Sequence, residues 1–218
     1  MTNAVKALVL DFGGVVTRTM FETHTMTERA LGLEPGTLTW RGPFAPDSDE
    51  LWCAMERDEI TEREYWAQRT KEVGELVGRH WTAMSDFVTA ARGANPAEVI
   101  RPQAVHAIET ARNNGCKLAI VSNELDLFYG ADFRDRLPFM KWFDVIVDAT
   151  HTKILKPDPR AYQACIDGLT VDASQCVFVD DQHRNVVGAL AVGMQAVHFD
   201  VQRPQTSYEQ ALELLSIE

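Results

Sequence analysis

The chain has 218 residues and a mass of 24.5 kDa, enough for one core domain with a modest insertion. Its 21 Lys plus Arg against 32 Asp plus Glu leave a net charge of −11, and no basic run exists to neutralise a nucleic-acid backbone or an anionic membrane surface, so neither partner is expected. No apolar stretch reaches the roughly 18 residues of a membrane span, no secretory leader pattern opens the chain, and Cys53, Cys116, Cys165 and Cys176 have no zinc or CxxC spacing, so the expectation is a cytoplasmic protein with free thiols.

Residues 5–11 form a short, mostly apolar run that ends in Asp11, and Gly13-Gly14 follow at once. A buried strand stopping at a tight turn explains the pattern. Between residues 17 and 95 the composition changes, and four of the five Trp fall there: Trp40, Trp52, Trp66 and Trp81. Thr61 and Glu64 have the spacing of a capping box. Residues 76–88 also permit a helix, and the Pro- and Gly-rich stretch 34–48 reads as a loop. The whole segment is expected to be a small helical insertion whose aromatic residues form its own core.

From residue 96 onward, apolar strands alternate with helical stretches. Helices are expected over 102–114, 125–136, 159–166, 185–192 and 207–215, and strands over 117–122, 143–147, 176–180 and 195–199. Gly115 and Gly193 stand where helices should stop. Continuous apolar strands separated by helices imply a mostly parallel, Rossmann-like α/β sheet covered on both faces. The expected domains are an α/β core (1–16 and 96–218) and a helical cap (17–95).

In such a sheet the chemistry lies outside the carboxyl ends of the strands. Four ends carry polar groups or lead to them: Asp11, Ser122-Asn123, Lys156-Pro157-Asp158 by way of a loop, and Asp180-Asp181. Adjacent carboxylates repel unless a cation or basic group lies between them. Together the four ends suit phosphoryl transfer. Asp11 would attack phosphorus while Mg²⁺, which prefers six oxygen ligands, lets the two anions meet. Lys156 would offset the remaining charge, Ser122 would donate to a phosphoryl oxygen, and backbone N–H groups near Gly14 and after Ser122 would line the same oxygens.

The ordered set Leu10-Asp11-Phe12-Gly13-Gly14, Val121-Ser122-Asn123, Lys156-Pro157-Asp158-Pro159, Val177-Phe178-Val179-Asp180-Asp181 and Asn185-Val186-Val187-Gly188-Ala189 resembles the haloacid dehalogenase-like (HAD) hydrolase superfamily. The likeness is strongest to its phosphatase-rich branch with a helical (C1-type) cap after the first strand, and it covers about residues 5–200. It implies an aspartyl-phosphate on Asp11, phosphate binding by Ser122 with Asn123 shaping the same loop, and charge neutralisation by Lys156. It also implies an Mg²⁺ site formed by Asp11, the Gly13 carbonyl and Asp181, with Asp180 as a ligand or as an orienting group, and Asn185 supporting the loop. The expected partner is a small phosphorylated metabolite.

One position departs from the pattern. Gly13 stands where the usual phosphatase has a second Asp that serves as general acid and then base, a function typically worth about 10²–10⁴ in rate. Glu22, His24, Glu124 and His151 are candidate substitutes. Three readings follow: a phosphatase for good leaving groups, a metal-independent 2-haloacid dehalogenase, and a catalytically weak binding or regulatory module. The dehalogenase reading would need an Arg such as Arg18 or Arg41 for the haloacid carboxylate, and it conflicts with the Asp180-Asp181 pair.

Overall fold

The computed structural model describes residues 6–92 and 96–217. Val5, read as the start of the first strand, and residues 93–95 of the insertion lie outside the described residues. The chain divides into two compact units, one comprising residues 1–18, 100–126 and 134–218 and the other residues 19–99 and 127–133.

The first unit is built on a five-stranded parallel sheet in the order β3-β2-β1-β4-β5. Its strands are β1 (Ala7–Leu10), β2 (Lys117–Ser122), β3 (Val145–Asp148), β4 (Cys176–Asp180) and β5 (Gln195–His198). All of β1 and β4 is buried, as expected of central strands covered on both faces. Helix α5 (Pro102–Asn113) starts with Pro in its first turn, where the missing N–H costs nothing. It packs on β2, and α10 (Pro204–Leu214) lies beside it. Helix α8 (Pro159–Leu169) covers β2 and β3, and α9 (His183–Ala191) covers β4 and β5. Tyr162 and Phe178 meet edge to face at 5.4 Å in the core under α8, and a fully buried side chain of this size contributes roughly 1.5–3 kcal/mol.

Register sets the level of the polar strand ends. Leu10 is paired with Ile120 on one side and Val179 on the other, so Asp11, one residue further on, comes level with Asp180. Ser122, the last residue of β2, pairs with Asp148.

The second unit contains α1 (His24–Leu31), α2 (Glu50–Glu56), α3 (Glu62–Leu76) and α4 (Met84–Arg92). The capping box forms: Thr61 Oγ1 accepts the Glu64 N–H at 3.2 Å and Glu64 Oε2 accepts the Thr61 N–H at 2.7 Å. Phe21, Trp40, Tyr65, Trp66, Val73 and Phe87 make an apolar core of their own. A polar knot pins it: buried Asp49 caps α2 at the Trp52 N–H, accepts the Tyr65 hydroxyl at 2.9 Å and pairs with Arg69 at 2.6 Å.

Two expected helices differ. The 76–88 stretch is not one helix: α3 ends at Leu76, Gly78 takes a left-handed φ of +67°, and α4 begins at Met84. The 125–136 stretch also breaks. Helix α6 (Leu125–Tyr129) stops before Gly130, whose φ is +78°, and a 3₁₀ turn follows over Ala131–Arg136. Residues 127–133, read as core from the sequence, group with the helical unit instead. The Tyr129 and Phe133 rings lie 4.6 Å apart at a tilt of 32°, and the Tyr129 hydroxyl interacts electrostatically with the buried Arg92 guanidinium.

Candidate active site

Asp11 follows β1 directly and keeps the strand's last ladder bond, its N–H donating to the Val179 carbonyl at 2.9 Å. The chain then turns through Phe12–Val16 in a single wide helical turn, with Gly14 at φ +78°. A side chain would be strained there, which accounts for glycine.

Lys156 reaches this strand end from the loop before α8. Its ammonium lies 2.8 Å from Asp11 Oδ1 and 2.6 Å from Asp180 Oδ2, with both the amine and Asp180 buried. Burial alone would lower the Lys156 pKa, but the charges of Asp11 and Asp180 and their hydrogen bonds outweigh it and hold the ammonium protonated. Asp11 moves the other way. Burial raises its pKa above the ordinary carboxylate range, Lys156 opposes the rise and Asp180 adds to it.

Asp180 is saturated with donors. The Gln182 N–H reaches Oδ1 at 2.8 Å, the Asn185 amide reaches both oxygens at 3.1 Å, and Lys156 holds Oδ2. Asn185 is buried, and its main-chain carbonyl accepts the Tyr162 hydroxyl at 2.8 Å. Asp181 is half-buried, and His198 Nε2 lies 3.0 Å from its carbonyl oxygen. Asp11, Asp180 and Asp181 each offer an oxygen within 4.8 Å of the others. An all-oxygen carboxylate set suits a hard divalent cation such as Mg²⁺. It carries three negative charges against the one ammonium, so a dication fits the site electrostatically.

Ser122 is buried at the end of β2, and its Oγ lies 3.4 Å from the Glu124 N–H. Asn123 turns toward the Lys156 main chain, accepting its N–H at 2.7 Å and donating to its carbonyl at 3.2 Å. Sequence reading placed Asn123 in the phosphate loop but missed this clamp. The loop also needs Gly188 on α9: a Cβ there would lie 2.8 Å from Pro157 Cβ and 2.8 Å from the Tyr162 hydroxyl.

The candidates for the acid missing at Gly13 scatter. Glu22 belongs to the helical unit, where its carboxylate accepts from the Thr19 N–H and hydroxyl at 2.8 and 2.9 Å. His24 is buried in that unit's core, 4.3 Å from the Trp40 ring. Of the two arginines considered for a haloacid carboxylate, Arg41 is exposed in the helical unit, and Arg18 is the last residue of the core unit's first segment. Glu124 is buried beside Ser122. His151, on the short helix α7 (Ala149–Thr152), is exposed and contacts Asp126 at 2.7 Å, near Asp148 at the end of β3. Asp126, Asp148 and His151 form a second carboxylate–imidazole group that the sequence did not signal. Arg134 and His151 both engage Asp126 Oδ2, and the N–H groups of Asp126 and Thr150 engage the two Asp148 oxygens, while Asp126 Oδ1 is buried without a hydrogen-bond partner among the described residues.

The core is thus a parallel α/β sheet with an acid after its first strand, a buried lysine and a paired-acid strand end, and a helical unit is inserted after β1. The haloacid dehalogenase-like hydrolase family matches residues 5–193, and the chain belongs to that family of hydrolases. It is 29% identical over 201 residues to a phosphatase of Mycobacterium tuberculosis, covering 90% of this chain and 88% of that protein. It is 26% identical over 211 residues to acyl-CoA dehydrogenase family member 10 of Mus musculus, covering 96% of this chain but 19% of that longer protein. Among solved structures, a HAD-superfamily hydrolase of Geobacter sulfurreducens shares the fold with a TM-score of 0.60 at 16% identity, covering 98% of each chain. No helix among the described residues is long and apolar enough to cross a membrane.

Proposed function

We propose that the chain is a Mg²⁺-dependent cytoplasmic phosphatase of a small phosphorylated metabolite, working through an aspartyl-phosphate on Asp11. The observation that carries the reading is the Lys156 ammonium set between Asp11 and Asp180 at 2.8 and 2.6 Å, with Asp181 alongside. One cation among three carboxylates leaves an excess of negative charge. With a dication the site comes close to neutral and accepts a phosphate; without one it repels any anionic substrate, a haloacid included.

An oxygen of Asp11 attacks phosphorus, the ester P–O bond breaks, and the leaving oxygen carries away the electron pair. Water then attacks the acyl phosphate, releasing phosphate and restoring Asp11. Lys156 opposes the burial-driven rise in the Asp11 pKa and binds the phosphoryl group, and Ser122 donates to one of its oxygens. Asp11, the Gly13 carbonyl and Asp181 would hold Mg²⁺, which when bound shields the nucleophile from the phosphate charge. Asp180, saturated by its own donors, acts as an orienting group.

Gly13 cannot protonate a leaving group, so the reading favours substrates whose leaving group needs little help, such as an acyl phosphate or an acidic alcohol. The test is phosphate release from p-nitrophenyl phosphate, a phenolate ester, with Mg²⁺ and with EDTA. Metal-dependent turnover that is lost in Asp11→Asn supports the reading. Metal-independent halide release from a 2-haloacid would replace it with a dehalogenase. Thermal stabilisation by Mg²⁺ without turnover on a panel of phosphometabolites would replace it with a binding role. Gly13→Asp is expected to raise turnover on poor leaving groups.

A further inference from the structure

The turn that follows Asp11 is held from behind by two side chains remote in sequence. Arg101 is 3% exposed, and both its Nε and its Nη2 donate to the Gly14 carbonyl, at 3.1 and 3.0 Å. Its main-chain N–H donates to the Val16 carbonyl at 3.0 Å, next to an antiparallel bridge between Thr17 and Ile100. Tyr208 on α10 is 2% exposed, and its hydroxyl donates to the Val15 carbonyl at 3.0 Å. The two side chains share a support in Phe199, whose ring lies 5.5 Å from the Arg101 guanidinium and 5.1 Å from the Tyr208 ring.

A turn of this kind does not hold itself. Phe12–Val16 is five residues long, Gly13 has non-helical angles and Gly14 is left-handed. One isolated helical turn gains too few bonds to offset the ordering of its dihedrals. Thr17 closes it from within: its N–H donates to the Phe12 carbonyl at 3.0 Å and its Oγ1 accepts the Gly14 N–H at 3.4 Å. The carbonyls of residues 14, 15 and 16 all accept from Arg101 or Tyr208. Burying a guanidinium is costly unless its donors are used. A planar fork with two arms on one carbonyl fixes direction in a way a lysine's point charge does not.

We propose that Arg101 and Tyr208 are positioning residues for the nucleophile. By fixing the Gly14 and Val15 carbonyls they set the direction of the Asp11 carboxylate and of the Gly13 backbone beside it. The catalytic half of this inference rests on the phosphatase reading of Asp11; the structural half does not.

The test uses the full chain with Arg101→Lys and Tyr208→Phe, the latter removing one oxygen and keeping the packed ring. Amide hydrogen exchange over residues 12–17 is read first. It is expected to quicken about tenfold or more in each variant while β2 and β4 stay protected. With p-nitrophenyl phosphate and Mg²⁺, kcat is expected to fall, by up to about 100-fold for a misplaced nucleophile, with KM little changed. Unchanged exchange in the 12–17 segment overturns the proposal whatever the activity. So does wild-type kcat in variants with quickened exchange, or a rise in KM with kcat intact. If the wild-type chain hydrolyses no phosphate ester, the phosphatase reading fails separately, and the exchange measurement alone decides whether the two side chains hold the turn.

Discussion

Asn123 holds Lys156 by its main chain. The side-chain amide accepts the Lys156 N–H at 2.7 Å and donates to the Lys156 carbonyl at 3.2 Å. The end of β2 and the loop before α8 thus become one rigid piece, and the ammonium is aimed at Asp11 and Asp180. Asn123→Ala removes both bonds and leaves the Lys156 main chain to find water. The expected result is a loss of about 10–100-fold in kcat/KM, the usual scale for an orienting partner, with far-UV circular dichroism unchanged. Wild-type kcat/KM in a folded Asn123→Ala would remove the clamp from the catalytic account.

Asp11→Asn should leave no turnover above background, because an amide oxygen is a poor nucleophile. It should not weaken the fold. Burial raises the folded pKa of Asp11, so the protonated acid is the form the fold prefers. A raised carboxylate pKa contributes stability below the unfolded pKa and loses it as pH rises through the folded one. At pH above neutral, the neutral amide is therefore expected to melt no lower than wild type without metal, and to gain less from added Mg²⁺. A large drop in Tm for Asp11→Asn would contradict the cost of the buried charge.

Gly188→Ala should loosen the Lys156 loop from behind. The added Cβ would come within 2.8 Å of Pro157 Cβ and of the Tyr162 hydroxyl, and α9 or the loop must shift. Overpacking of this kind typically costs about 1–3 kcal/mol. Urea unfolding measures the loss, and the same shift should lower kcat because it moves Lys156. A variant as stable as wild type would mean that the loop yields without strain.

His24 makes the helical unit sensitive to acid. Burial lowers its pKa from 6.5 to about 4. Arg41 and Arg69 push the same way, and Glu28 on its own helix opposes them. The unfolded chain therefore binds the proton more readily. Stability is full above about pH 6.5 and is lost as pH falls toward 4, by on the order of 2 kcal/mol at about pH 5. Urea unfolding followed by Trp fluorescence, at about pH 7.5 and about pH 5, compares wild type with His24→Leu. Wild type is expected to lose about 2 kcal/mol more than the variant between the two conditions. Parallel losses would mean that the imidazole protonates in place at no cost.

The parallel sheet and its polar strand ends were legible because buried parallel strands are written as continuous apolar runs that end in polar residues. Asp11, Ser122 and Asp180 stand at such ends, and the structure brings the first and last onto one lysine. The capping box at Thr61 was legible for a similar reason, since its signal is local. Arg101 on Gly14 and Tyr208 on Val15 were not, because bonds from a side chain to a main chain 87 and 193 residues away leave no periodicity. The breaks at Gly78 and Gly130 turn on single left-handed residues inside stretches that otherwise favour helix. The Asp126–Asp148–His151 group depends on tertiary proximity alone.

The helical unit is not one continuous piece of chain: residues 127–133 complete it, with the Tyr129 hydroxyl on Arg92 and Phe133 against the Tyr129 ring. As an exchangeable building block it therefore has two parts. A chimera that carries residues 19–99 into a relative's core leaves the buried Arg92 without its phenol, while the donor's 127–133 segment stays behind with its aromatic face uncovered. Recombination among relatives can shuffle this unit intact only if both segments travel together, so the short segment and the long one are expected to diverge as a matched pair.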